Sequence, residues 1–104
     1  MELRHLRYFV AVVEEGSLTT AAERRLHTSQ PSLSRQIRDL EYEVGAELLS
    51  RSVHGVELTA AGKAFLDHAR LALMQADAAV EAAHAGRRNR QGRRSPSASR
   101  PGTR

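Results

Sequence analysis

Two short amphipathic stretches sit on either side of a tight turn between residues 17 and 43, SLTTAAERRLHTSQPSLSRQIRDLEYE. This arrangement constrains the fold more than anything else in the chain. In the second stretch Leu33, Ile37, Leu40 and Val44 step by 4, 3 and 4, the spacing of one buried helical stripe. Ser29 stands where a hydroxyl can accept a free backbone N–H of the first turn. Pro31 falls in that turn, where a missing N–H does little harm. The helix therefore runs from about 30 to 44 and stops at Gly45. Upstream, Leu18, Ala21, Ala22 and Leu26 mark a second helix over 18–26, capped by Ser17, and the paired alanines allow a close crossing. A first helix over 3–15 carries Leu3, Leu6, Val10 and Val13 on one face with Phe9 beside them, and ends at Gly16.

The polar side of the 30–44 helix carries Gln30, Ser34, Arg35 and Arg38. Glutamine can read adenine bidentately, arginine can read guanine, and serine can bond to a phosphate or a base. A merely solvated polar face would look similar, so the surroundings matter. The net charge of +4 is misleading as a whole, because residues 86–104 hold seven arginines and no acid. Residues 1–85 are left with nine basic and twelve acidic residues, a body charge of −3. Within that acidic body, Arg24, Arg25, Arg35 and Arg38 cluster with His27 between residues 24 and 38, without an acid among them. A local basic surface of this kind fits a face turned toward phosphates.

After Gly45 the period changes. Val53, Val56 and Leu58 favour short strands around a turn at His54-Gly55, which predicts a two-stranded hairpin packed on the helices. Thr59 then caps a long helix over about 60–85, roughly 39 Å at 1.5 Å per residue. Leu66, Ala69, Leu73, Ala76, Val80 and Ala83 alternate steps of 3 and 4 along it, a coiled-coil period with alanine at every second place. This seam is expected to pair with a second helix as a dimerisation surface. The alternative is a helix folded back on its own domain. Residues 86–104, GRRNRQGRRSPSASRPGTR, have the composition of a disordered basic tail.

Other functions find little support. With no cysteine, disulfides, thiolate catalysis and Cys-ligated zinc are excluded. The five histidines are scattered without metal-ligand spacing, and no Gly-rich phosphate loop or nucleophile–base arrangement is present. No enzyme activity, cofactor or metal is expected. The sequence also lacks an apolar run long enough to span a membrane and a signal peptide's apolar core, so a cytoplasmic protein is expected.

Helix, helix-turn-helix, hairpin and long exit helix, in that order, resemble a winged helix-turn-helix DNA reader. The residues MELRHLRYFVAVVEEGSLTTAAERRLHTSQPSLSRQIRDLE, the wing LLSRSVHGVELT and the following AAG resemble the N-terminal domain of LysR-type transcriptional regulators, over residues 1 to about 85. The resemblance implies a mainly α fold: a winged helix-turn-helix of three helices plus a two-stranded wing (1–58), a linker and dimerisation helix (59–85) and the basic tail (86–104). It also implies a partner, double-stranded DNA, read as an interrupted palindrome by a dimer. Ser29, Gln30, Pro31, Ser32, Ser34 and Arg35 would meet the major groove. Arg51 would reach phosphate or the minor groove, His54 would sit at the wing tip, and Thr28 would lie near backbone phosphate. Gln30, Ser34 and Arg35 are the expected base readers, and Thr28, Ser32, Arg38 and Arg51 the expected phosphate contacts. The exit helix would pair antiparallel between subunits.

Three features depart from the family pattern. AAERRLHTSQP has one more residue between the alanine pair and the SQP turn than is usual, and Arg24-Arg25 is expected to lengthen the helix or the turn. Leu49 replaces the usual phenylalanine of the wing. The two-lobed effector domain that normally follows is not expected in this chain. That leaves an alternative function as a truncated modulator that heterodimerises with full-length regulators.

Overall fold

The computed structural model describes residues 1–93. The chain divides into two units, Met1–Leu73 and the part from Met74 onward. In the first unit, α1 (Leu3–Glu15) buries Leu6, Phe9, Val10, Ala11 and Val12. It ends at Gly16, whose φ of 72° is a left-handed conformation that glycine adopts without a Cβ penalty; its N–H closes on the Val12 carbonyl at 2.8 Å. Gly45 ends α3 (Gln30–Val44) in the same way, with φ of 84° and its N–H on the Glu41 carbonyl. Both helix stops fall where the sequence places them.

The second helix does not run as one α-helix from 18 to 26. A single α-helical turn, α2 (Leu18–Thr20), is capped by Ser17 Oγ accepting the Thr20 N–H at 3.1 Å. It passes into a π-helical segment, Ala21–Leu26. There the His27 N–H reaches back five residues to the Ala22 carbonyl, and the Thr28 N–H bonds the same oxygen at 3.0 Å. A π turn holds one more residue than an α turn. A π turn therefore has room for the one residue more that the resemblance implies here, while Ala21 and Ala22 stay fully buried and Leu26 still packs on the core.

The wing is an antiparallel pair, β1 (Leu49–Ser52) and β2 (Gly55–Leu58), with Leu49 opposite Leu58 and Ser52 opposite Gly55. Its turn is therefore Val53-His54, one residue earlier than expected. Backbone and side-chain hydrogen bonds hold it to the helices. Glu41 Oε2 accepts the N–H groups of Leu48 and Leu49 at 2.8 and 3.1 Å. The Val56 N–H reaches the Gly16 carbonyl at 3.4 Å. Thr59 Oγ1 donates to the Glu47 carbonyl at 2.6 Å and accepts the Gly62 N–H at 2.9 Å, which joins the wing to the cap of the next helix. Leu48, just before the hairpin, and Leu49, its first residue, are both buried.

The last helix, α4, spans Ala60–Arg93 and so continues past residue 85; residues 86–93, expected to begin the tail, are helical. Residues 94–104 lie outside the described residues. Within the first unit Leu66 and Ala69 are buried in the core, and Phe65 meets Phe9 edge to face with ring centroids 5.3 Å apart. These two seam positions face the core of the first unit. Two stripes are also shorter than their periodicity implies: Leu3, at the start of one, is 47% exposed and Val44, at the end of the other, 39%. The core adds Val12 and Leu48, which the sequence patterns did not mark.

Candidate nucleic-acid interface

The turn and the first turns of α3 supply one continuous polar surface. Ser29 caps α3, its Oγ accepting the Ser32 N–H at 3.2 Å, and Pro31 lies in the first turn. The remaining N–H groups of that turn and the helix dipole favour an anionic partner. Ser29, Pro31 and Arg35 are exposed, and Thr28, Gln30 and Ser32 are half-buried. Leu33 and Ile37, on the opposite face, are fully buried and hold this surface outward.

Ser34 is placed differently from its neighbours. It is only 8% exposed, and its Oγ accepts a hydrogen bond from Arg51 Nη1 of the wing at 3.4 Å. Arg38 and Arg51 line a polar groove between α3 and the wing, with Glu41, Glu47 and Ser50 along it. At the wing tip His54 is exposed, its N–H bonded to Ser52 Oγ at 3.2 Å. The structure thus brings Thr28 to Arg38 together with Arg51, and leaves His54 on the adjoining hairpin turn.

The basic cluster of the sequence divides in two. Among the described residues, Arg24, Arg35 and Arg38 are exposed and have no acidic partner within 4 Å, so their charge is available to phosphate. Arg25 belongs to another group. Its Nη1 lies 2.7 Å from Glu14 Oε1 and 3.6 Å from Glu15 Oε2. Glu14 Oε2 also accepts from Arg70 Nη2 at 3.2 Å. The hydrogen bond from Arg25, helped by that from Arg70 and by both charges, holds the Glu14 carboxyl below its ordinary value.

Sequence reasoning missed the Glu41 tie beneath the wing, the Ser34–Arg51 contact and the Arg25–Glu14–Arg70 bridge. Each joins residues at least seven apart that sit on different elements, and no periodicity marks such a pair. Of the expected dimerisation residues, Leu66 and Ala69 are buried and Leu73 is half-buried on the core. In the second unit Ala76 is half-buried, while Val80 and Ala83 are exposed. No group of three or more His, Cys, Asp or Glu side chains among the described residues could hold a metal ion, and no described helix is long and apolar enough to cross a membrane.

A helix-turn-helix with a two-stranded wing, presenting unpaired guanidinium groups beside a capped helix start, defines a winged helix DNA-binding domain. Residues 3–63 match the model of the bacterial regulatory helix-turn-helix proteins of the lysR family, and the chain belongs to that family. It is 55% identical over 92 residues to the HTH-type transcriptional regulator AlsR of Bacillus subtilis, covering 88% of this chain and 30% of that protein. It is 62% identical over 77 residues to the Hca operon transcriptional activator HcaR of Escherichia coli, covering 74% and 26%. Among solved structures, it is similar to the CbnR_DBD–DNA complex with a TM-score of 0.78 and 49% identity, over 83% of this chain and 98% of that one. The BenM_DBD/catB site 1 DNA complex is also similar, with a TM-score of 0.77 and 50% identity over 81% and 93%. The chain spans about a third or less of the length of AlsR and HcaR.

Proposed function

We propose that this chain reads operator DNA as a homodimer and regulates transcription, with two copies of α3 set into half-sites of an interrupted palindrome. The observation that carries this reading is the run from Thr28 to Arg38, which is polar, capped and free of acidic partners at Arg35 and Arg38, with Arg51 beside it. In this reading Gln30 and Arg35 contact base edges. Thr28, Ser29, Ser32, Arg38 and Arg51 contact phosphate and set the register. Pro31 gives the turn its shape. His54 adds a contact from the wing tip. Ser34 acts through Arg51: by accepting its Nη1 it restricts the long side chain before DNA arrives, which lowers the entropy lost on binding. The relatives solved as complexes with DNA, CbnR_DBD and BenM_DBD, support DNA as the partner.

For the second copy, Leu66 and Ala69 are already buried in the first unit. The strip left to pair is Ala76, Val80 and Ala83, where alanine lets two helices approach closely.

Selection of bound duplexes from a random pool, followed by anisotropy titration of the selected site, tests the reading. Gln30→Ala or Arg35→Ala is expected to weaken the selected site by about 1–3 kcal/mol and to relax preference at one base pair. Arg38→Ala is expected to weaken all duplexes alike and to lower the slope of log K against log salt by about 1. Selection of no sequence, or an undiminished preference in both base-reading variants, overturns it.

A further inference from the structure

The residue added to the second helix has a consequence for Arg25. A one-residue insertion in an α-helix would rotate everything after it by about 100°, which follows from 3.6 residues per turn. Here the π turn takes up that residue, so Ala22 and Leu26 both remain against the core. The turn that holds the insertion also holds Arg25, which reaches α1 at Glu14 and Glu15. Glu14 gives one carboxylate oxygen to Arg25 and the other to Arg70 of α4. Beside the same junction lies a cleft lined by Arg7, Val10, Ala11, Arg25, Leu26 and Leu73. Three elements of the first unit therefore meet at a single carboxylate: α1, the π turn that leads into the reading surface, and the first turns of α4.

We propose that the insertion is a clamp, in which Arg25 is a positioning residue that acts through Glu14 on Arg70 and makes the helix-turn-helix and the first turns of α4 move as one body. Arg25 is then not a DNA contact, although it lies in the basic cluster. Its guanidinium is committed to two carboxylates, while Arg24 beside it has none. A shared acceptor with charge-assisted bonds on both oxygens is stronger than an isolated surface pair. Its effect is expected in local opening rather than in global stability.

The test uses the 104-residue chain, with amide hydrogen exchange read at residues 69–73 of α4 and at residues 22–28. Arg25→Gln and Glu14→Gln are each expected to speed exchange at 69–73 by about two- to fivefold, and the double variant no more than either alone. Deleting Arg25 removes the insertion and the clamp together. It is expected to return residues 18–26 to α-helical bonding in amide NMR and to speed exchange at 69–73 by the same factor. Arg70→Gln, an exposed substitution on the far side of Glu14, is expected to speed exchange at 22–28, and keeps the idea testable if the turn variants do not fold. In parallel, anisotropy on a mixed-sequence duplex should give the same salt slope for Arg25→Gln as for the unaltered chain. A slope lower by about 1 would make Arg25 a phosphate contact and overturn the proposal. Unchanged exchange at both segments would overturn it too.

Discussion

Single residues in this domain mostly act by where a backbone can go. Gly62 shows this most sharply. A Cβ built on it would stand 2.0 Å from the Leu48 carbonyl oxygen, a backbone atom that cannot swing aside. That oxygen also accepts the Thr59 N–H at 3.1 Å, so moving it would disturb the cap of α4 and the base of the wing together. Gly62→Ala is therefore expected to destabilise the chain by about 2–4 kcal/mol despite alanine's better helix propensity, read as a lower urea midpoint. Glu41 carries a comparable burden with its side chain. Without its carboxylate, the N–H groups of Leu48 and Leu49 lose their acceptor beneath the hairpin. Glu41→Ala is expected to lower stability by about 1–3 kcal/mol. It should also speed amide exchange in β1 more than in α1, because α1 makes no use of this tie. Uniform acceleration across both elements would instead mean that Glu41 supports the domain as a whole.

At the scale of elements, the features legible in the sequence are those whose cause is local. α1 and α3 begin and end where expected because glycine at φ of 72° and 84° stops them and Ser29 caps the second. The two-stranded wing followed from its change of period. The π turn was not legible as such. The resemblance implies one residue more between Ala22 and Ser29, but whether a helix widens or a loop lengthens depends on how firmly both flanks are buried. Here Ala21 and Ala22 on one side and Leu26 on the other are all fixed by the core, so the helix itself widens. Periodicity also misled at Val44 and along α4, since a repeat says which residues share a face and not what covers that face. Ser34, on the polar side of α3 by spacing, turned out buried beneath Arg51 for the same reason. The Arg25–Glu14–Arg70 bridge gives this scale a pH signature. Because the Glu14 carboxyl is held below its ordinary value of 4.5, chiefly by the Arg25 hydrogen bond, its contribution is fully present above pH 4.5. It is lost as the pH falls through the lowered folded value. Amide protection factors at residues 69–73, measured from pH 7 downward, are expected to be lower in Glu14→Gln than in the unaltered chain near neutrality, with the difference closing below pH 4.5. A difference that stayed constant with pH would mean that packing, not charge, is what the substitution removes.

For the whole molecule, the question is how a small reading surface gains enough affinity to select one site. The proposed reading surface offers few cations without an acidic partner, Arg35 and Arg38 on α3 with Arg51 at the wing, so one copy would make a limited number of phosphate contacts. In the proposed homodimer, two copies joined through α4 would turn the second binding event into an intramolecular one, with a gain set by effective concentration rather than by new contacts. Pairing then has to use the part of α4 that the core leaves open. Val80 is 53% exposed in the second unit, with Ala76 and Ala83 three or four residues to either side. A charge at the centre of such a strip would be desolvated opposite its own copy, which opposes association without touching the buried core of the first unit. Val80→Glu is therefore expected to shift sedimentation from dimer to monomer and to leave the urea midpoint of the monomer unchanged. Affinity for a duplex carrying one half-site should stay the same, and affinity for the two-half-site duplex should fall to that single-site level. If Val80→Glu remains dimeric, the pairing surface lies elsewhere. If it is monomeric yet binds the paired sites as tightly as before, dimerisation through α4 is not what gives this chain its reach along DNA.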